Sequence, residues 1–244
     1  MAFLRVGCSG FNYRDWRCRF YPKDTPQKEW LDYYSSIFNT VELNVTFYRL
    51  PLLTTFEHWH SSTPDDFGFS VKGSRFITHI KRLNDVEAPL ELFFSRVLLL
   101  KEKLLVVLWQ FPPRFKLDIE RFSSFLDLLK DYPARNTFEF RHESWICEEI
   151  LDLCRRYNVS LTMADWPLFL DRLPVTSDFV YMRRHGENGT YATSYSKSKL
   201  ETDAARIRSY LNQQIKVFIY FNNDYNAYAP QNAIDLMEIL KNVS

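Results

Sequence analysis

Glycine is scarce in this chain: six scattered residues in 244. A phosphate-cradling loop needs several glycines within one strand-to-helix turn, so that class of nucleotide site is nearly excluded. No sign of charge dominates either. The 31 lysines and arginines face 30 aspartates and glutamates, a formal net charge of +1, so no global field draws the protein to nucleic acid or to a membrane surface. No apolar run approaches the roughly 18 residues that cross a bilayer. The start, Met1-Ala2-Phe3-Leu4-Arg5-Val6, lacks the basic and apolar regions of a secretory signal, and a cytoplasmic location is expected. Four cysteines are too few for a disulfide framework. Cys8 and Cys18, in an early loop, are expected as reduced thiols, and Cys147 and Cys154 as core residues on one helix face.

Aromatic residues are what the chain has in excess: 21 Phe, 14 Tyr and 6 Trp, 17% of the whole. A disordered or low-complexity protein does not carry so many. Short β-rich runs recur at Leu4–Gly7, Val41–Val45, Gly68–Lys72, Leu105–Gln110, Thr137–Arg141, Ser160–Ala164, Phe179–Arg183 and Val217–Phe221. Helical patterns lie between them at Pro26–Ile37, Thr54–Ser61, Pro89–Lys101, Asp118–Lys130, Ile146–Tyr157, Leu200–Asn212 and Ala233–Lys241. Asp118 reads as an N-cap ahead of an apolar stripe at Ile119, Phe122, Phe125, Leu126 and Leu129. Strands alternating with helices imply parallel βαβ units. With no linker or low-complexity stretch to divide it, the chain reads as one α/β domain over 1–244, a TIM-type (β/α)8 barrel; an open doubly wound sheet is the runner-up.

Strand parity separates the two. Phe67, Phe69 and Val71 alternate with Gly68, Ser70 and Lys72; Val41, Leu43 and Val45 alternate with Glu42, Asn44 and Thr46; Phe138 and Phe140 alternate with Glu139 and Arg141. A sheet buried under helices on both faces reads apolar on both parities; one polar parity fits a barrel with a polar upper interior. The spacing between the sixth and seventh strands, about fourteen residues with Pro167 and Pro174, leaves little room for a crossover helix. The loops after the first and seventh strands are long, and both leave strand C-terminal ends, where barrel active sites sit.

Ionisable side chains pointing into a barrel are costly unless paired. One reading is a structural network in which Glu42 and Glu139 neutralise Lys72, Arg141 and Arg183; the other is an active site made of the same groups. The carboxylates Glu42 and Glu139 could divide acid and base roles, with His142, His185 and His79 as further proton carriers. Lys72, Arg75, Arg141, Arg183 and His185 could clamp a phosphate or carboxylate. Five histidines argue against a multi-zinc site, though His79, His142 and His185 with Glu139 or Asp165 could hold one divalent ion. Gly7-Cys8-Ser9-Gly10 lacks the spacing of a serine nucleophile elbow, and ion pairing suits Lys72 better than Schiff-base chemistry. In the first loop, Phe11-Asn12-Tyr13-Arg14-Asp15-Trp16 interleaves aromatics with arginine. Such a run either stacks a base or sugar, through Tyr13 and Trp16, or packs as a satellite core under the loop.

At these residues the chain resembles domain-of-unknown-function family 72, the YecE-like family. The motifs are Gly7-Cys8-Ser9-Gly10 with Tyr13 and Trp16, Phe20-Tyr21-Pro22, Val41-Glu42-Leu43-Asn44 with Thr46-Phe47-Tyr48, Lys72 with Arg75 and Ile77-Thr78-His79, Gln110-Phe111-Pro112-Pro113, Glu139-Phe140-Arg141-His142 with Ser144-Trp145, Tyr181, Arg183, His185-Gly186, and Tyr220-Phe221-Asn222-Asn223 with Asn232-Ala233. The resemblance runs from about Val6 to Leu240. It implies a TIM-barrel-like fold and fixes no reaction, substrate or cofactor. Asn44, Lys72, His79, Gln110, Glu139, Arg141, His142, Arg183, His185 and Asn222 carry over as motif positions. Arg184 departs from the pattern, where an apolar or aromatic residue is expected, and reads as a surface or interface residue. The function expected is an enzyme, a hydrolase or isomerase, acting on an anionic small molecule of phosphorylated or nucleotide-like kind. Nucleic-acid processing through the first loop and a non-catalytic ligand-binding barrel are the alternatives.

Overall fold

The computed structural model describes residues 3–242. Its strands are β1 (Leu4–Cys8), β2 (Thr40–Leu43), β3 (Gly68–Lys72), β4 (Leu104–Gln110), β5 (Arg135–Glu139), β6 (Ser160–Ala164), β7 (Phe179–Arg184) and β8 (Lys216–Phe221). They follow one another in chain order around a closed barrel. Pairing is parallel, and β8 closes onto β1 with Leu4 opposite Val217 and Cys8 opposite Phe221. Closure removes both sheet edges, and the fold is the (β/α)8 barrel rather than the open sheet. The helices are α1 (Trp30–Ile37), α2 (Val45–Tyr48), α3 (Leu53–Ser61), α4 (Glu87–Val97), α5 (Ile119–Leu129), α6 (Glu148–Tyr157), α7 (Lys197–Asn212) and α8 (Tyr228–Lys241). No helix among the described residues joins β6 to β7, as the proline-bearing spacing predicts, and none is long and apolar enough to cross a membrane.

Contacts divide the described residues into two compact units. One holds the chain up to Glu42, Met163–Asp171 and the chain from Asp178 on; the other holds Leu43–Thr162 and Arg172–Ser177. In the second unit the aromatic excess builds the core. Asp118 caps α5 by accepting the Arg121 amide at 3.1 Å. The capped helix then lays Phe122 and Phe125 on Phe138 of β5, with ring centroids 4.9 and 6.2 Å apart. Edge-to-face pairs of this kind add to the area they bury. In the first unit, Trp16, Tyr21 and Tyr34 are fully buried or nearly so, and Tyr21 stacks on Trp30 with centroids 4.7 Å apart and planes 4° from parallel. Gly7 is required there: a Cβ at this position would sit 2.3 Å from the Thr40 carbonyl oxygen.

Three expectations change. β2 stops at Leu43, and Val45 is exposed within α2 while Thr46 turns inward. The reason is the backbone of Asn44, which is helical; the Thr46 hydroxyl then donates to the Leu43 and Lys72 carbonyls at 3.1 and 2.6 Å. Cys147 precedes α6 as its N-cap rather than sharing a helix face with the buried Cys154. Arg184 is no surface residue. It is 1% exposed and pairs with Asp203 of α7 through two hydrogen bonds, 2.6 and 2.7 Å, riveting β7 to α7. Its remaining donors reach the carbonyls of Met163 and Arg183 at 3.3 and 3.2 Å.

Removing one partner of such a pair strands a buried charge. Asp203→Ala should lower unfolding stability by about 3–5 kcal/mol, whereas the double change Arg184→Met with Asp203→Leu should lose far less. Denaturant unfolding of the two variants checks this; equal losses would contradict it.

Candidate functional site

In the first unit, side chains at the C-terminal ends of the strands form one continuous network. Glu42, at 0% exposure, lies under β1 and β7. It accepts the Ser9 hydroxyl at 2.6 Å, the Tyr181 hydroxyl at 2.6 Å, and Arg183 through Nη2 at 2.9 Å and Nε at 3.1 Å. Burial alone would raise the Glu42 carboxyl, but Arg183 and the two hydroxyls outweigh it and hold the group below its ordinary value. Arg183 Nη1 then reaches His185 Nε2 at 3.3 Å. A guanidinium can only donate, so Nε2 is the acceptor and the proton of this fully buried imidazole lies on Nδ1. From there it faces Asp165 Oδ1 at 3.0 Å, which also accepts the His185 amide at 2.9 Å. The other Asp165 oxygen takes the Tyr195 hydroxyl, whose oxygen in turn accepts the Gly186 amide at 2.8 Å. Burial raises Asp165 less than His185, Arg184 and Tyr195 lower it, so it too is held down. The loop after β7 is fastened further by Asn232 Oδ1, which accepts the Tyr195 amide at 3.1 Å and Asn223 Nδ2 at 2.9 Å.

Beside this network is a cleft of about 370 Å³, lined by Tyr13, Arg14 and Asp15 of the first loop, Thr190, Tyr191 and Ala192 of the loop after β7, and Asp224 and Tyr225 beyond β8. Three residues in these last two loops, Tyr191, Asn226 and Ala227, hold left-handed backbones at φ of 63°, 55° and 61° without being glycine. Such strain persists only where the surroundings enforce it. Asp224 is the chemically distinctive member. Its Oδ1 is buried with no hydrogen-bond partner. Burial pushes the carboxyl up to about 7, against the lowering effects of the Tyr13 hydroxyl and Arg183 and with Glu42 adding to the rise. A carboxyl poised near neutral pH in a cleft is a candidate acid or base.

The second unit carries a different cluster. Glu139, at the end of β5 and 1% exposed, gathers three donors on one oxygen: Gln110 Nε2 at 2.8 Å, and Arg141 Nε and Nη2 at 2.8 and 2.7 Å. Lys72, at the end of β3, puts its ammonium 4.3 Å from the centre of the Phe47 ring. The other edge of that aromatic contact is His79, ring to ring at 4.9 Å and 83°, on the π-helical turn Phe76–Ile80. His79 Nδ1 lies 2.9 Å from the Thr78 hydroxyl. Burial, then the cations Lys72, Arg75 and Arg141, depress the imidazole to about 4, with Glu139 opposing them. His79 is therefore neutral at physiological pH, first because it is partly buried and then because cations surround it.

The expected residues thus divide. Glu42, Arg183 and His185 come together in the first unit; Lys72, His79, Gln110, Glu139 and Arg141 come together in the second. His142 does neither: its Nδ1 accepts the Ser144 amide at 3.2 Å and caps the short turn Glu143–Trp145. Asn44 ends β2 and opens α2, and Asn222 is buried with its amide on the Arg184 carbonyl at 2.7 Å. Trp16 is no stacking platform. It is fully buried, donating Nε1 to the Asp224 carbonyl at 2.9 Å and packed on Tyr13 at 5.0 Å, so the satellite-core alternative holds. Tyr13 keeps a place on the cleft, its hydroxyl tied to the Ser9 carbonyl at 2.6 Å. Among the described residues no three His, Cys, Asp or Glu side chains are grouped as a metal site requires. Ser9, Tyr195 and Asp224 were not expected as site residues.

A family model described as a protein of unknown function, DUF72, matches residues 5–244. UPF0759 protein YunF of Bacillus subtilis (strain 168) is 28% identical over 273 aligned positions, 97% of this chain and 94% of that protein. The crystal structure of a DUF72 family protein from Thermotoga maritima MSB8 superposes with a TM-score of 0.84 at 30% identity, covering 98% of this chain and 99% of that one. A D-psicose 3-epimerase solved with D-fructose shares the fold alone, at 11% identity and a TM-score of 0.56 over 97% of each chain.

Two outcomes test these geometries. Arg183→Met leaves Glu42 charged and buried, and should cost about 3–5 kcal/mol of unfolding stability; a variant as stable as the parent would show that the pair is not needed. Asp224 has a folded-state pKa above its unfolded value of roughly 4. The protein therefore loses stability as pH rises from there through about 7. Asp224→Asn should be more stable than the parent at a pH of about 8, and the gain should vanish by a pH of about 4. Thermal unfolding across that range reads it; a gain that persists in acid would point to packing instead.

Proposed function

We propose that this chain, which belongs to the DUF72 family, is an enzyme that binds an anionic small molecule over the second unit's strand ends and moves a proton through His79. One observation carries the reading: the charges that act most on His79 are three cations, Lys72, Arg75 and Arg141, and one carboxylate, Glu139. A phosphate or carboxylate entering this group is met by the planar fork of Arg141 and the point charge of Lys72. The same event changes His79. An anion beside the ring offsets the field of the three cations, and the imidazole pKa climbs from about 4, while burial, the larger lowering effect, stays in force. The substrate's charge thereby makes the imidazole a stronger base than it is without the anion. Glu139 fixes the direction of Arg141 by accepting Nε and Nη2 on one oxygen. Hydrolysis and isomerisation of a phosphorylated compound both use a base of this kind.

A second reading has its own observation. Asp224, held near neutral pH in the cleft of the first unit, is the alternative proton carrier. The two are told apart by single substitutions. With a turnover substrate found from a panel of phosphorylated and carboxylated metabolites, His79→Gln should lower kcat by roughly 100-fold or more and leave binding intact, while Lys72→Met with Arg141→Met should abolish binding. Turnover lost in Asp224→Asn and kept in His79→Gln would move the chemistry to the cleft.

The titration of His79 gives a substrate-independent check. With sulfate, which does not itself titrate near neutrality, the His79 ring pKa read by NMR should rise by about one unit or more. Sulfate binding should accordingly strengthen as pH falls from about 6.5 toward 4. A ring pKa unmoved by saturating sulfate would overturn the anion site.

A further inference from the structure

The surface around His79 says more about the ligand than its charge. Val45 is 42% exposed, Tyr48 79%, Phe76 44% and Ile80 61%. They belong to α2 and to the π-helical turn Phe76–Ile80, the two segments that supply Phe47 and His79. Their neighbourhood is fixed by Phe47, whose ring contacts Lys72 at 4.3 Å, His79 at 4.9 Å and Tyr48 at 5.0 Å. Leu52 and Leu53, 69% and 49% exposed, extend the apolar run along the chain into α3. Four of the eleven large apolar side chains that stand exposed among the described residues thus fall on the two short segments joined by the Phe47–His79 contact. Single exposed apolar residues are ordinary, but a clustered set marks a binding surface.

We infer that the anion this site takes is amphipathic: a phosphate or carboxylate ester-linked or joined to an aryl or short alkyl group, whose apolar part lies on Tyr48, Phe76, Ile80 and Val45 while its charge meets Lys72, Arg75 and Arg141. This rests on the anion-site reading of His79 and adds the substrate's second half. The chemistry is consistent on both sides. An ammonium over an aromatic ring, as Lys72 over Phe47, already sets positive charge directly against apolar surface. A wholly polar anion would leave the neighbouring apolar side chains in water, whereas an aryl or alkyl group covers them. The short, exposed helix α2 exists because Asn44 ends β2 early, so the early end of that strand is what presents Val45 and Tyr48.

Isothermal titration with inorganic phosphate, phenyl phosphate and hexyl phosphate tests this on the full chain. The parent should bind phenyl and hexyl phosphate roughly tenfold or more tighter than inorganic phosphate, the advantage growing with buried apolar area. The triple variant Tyr48→Ser, Phe76→Ser, Ile80→Ser changes exposed side chains only, so its fold should persist. In it the advantage should vanish while the affinity for inorganic phosphate stays unchanged. If the parent binds all three phosphates equally, the amphipathic ligand is overturned and the anion site survives. If it binds none of them, both fall. A triple variant that keeps the organic-phosphate advantage places the apolar contact elsewhere, and also overturns the inference. Self-association of the parent that the triple variant abolishes would assign the surface to a second copy of the chain instead.

Discussion

The ion pair between Glu42 and Arg183 is the constraint on which the first unit depends. Both groups are removed from water, with side-chain exposures of 0% and 1%, so neither tolerates the loss of the other. Their charges are balanced by a chain of donors and acceptors in which each step fixes the next. Ser9 and Tyr181 fill the Glu42 oxygens, Arg183 points His185, and His185 presents its Nδ1 proton to Asp165. Asp165 then ties Tyr195, and through it the loop after β7. A loop that forms one wall of a cleft is therefore anchored to the barrel interior by a fully occupied polar network rather than by apolar packing alone.

Against that balanced network, the second unit is charged unevenly. Glu139 engages Arg141 and Gln110, while burial and then Lys72, Arg75 and Arg141 depress His79. Burial and these three cations both disfavour the charged imidazole, and a bound anion would offset the cationic share, which is the basis of the proposed anion site. The units thus differ in charge: Glu42 and Arg183 are a closed, fully buried pair, whereas three cations and one carboxylate act on His79, the group proposed above to meet an anion. The relative solved at 30% identity shares the fold over 98% of this chain.

Much of the fold was legible in the residues. Alternation in Phe67-Gly68-Phe69-Ser70-Val71-Lys72 predicts aromatics under the helices, and the structure sets Phe69 against Trp59 of α3 and Phe138 against Phe122 and Phe125 of α5. It failed at Val45, because the helical turn at Asn44 is a backbone choice that period-two patterning cannot reveal. Arg184 was misread for a related reason: its partner Asp203 lies 19 positions away on α7, and a buried pair formed across such a span leaves no local signal. Among site residues, the charged strand-end groups were visible as types in an unusual parity. Asp224 was not. Two residues beyond Asn222, it reads as an ordinary loop acid, and only burial of Oδ1 without a partner gives it a proton near neutral pH. Tyr195 likewise gains its role from three-dimensional proximity to Asp165.

We propose that the positive charge around His79 holds an anion and that the charge on Arg183 does not. Anomalous diffraction from crystals soaked in selenate tests it most directly. An ordered anion within hydrogen-bond distance of Lys72 and Arg141, with Arg183 still paired to Glu42, is the result predicted. Anomalous density absent from Lys72 and Arg141, or an anion displacing Glu42 from Arg183, would contradict it.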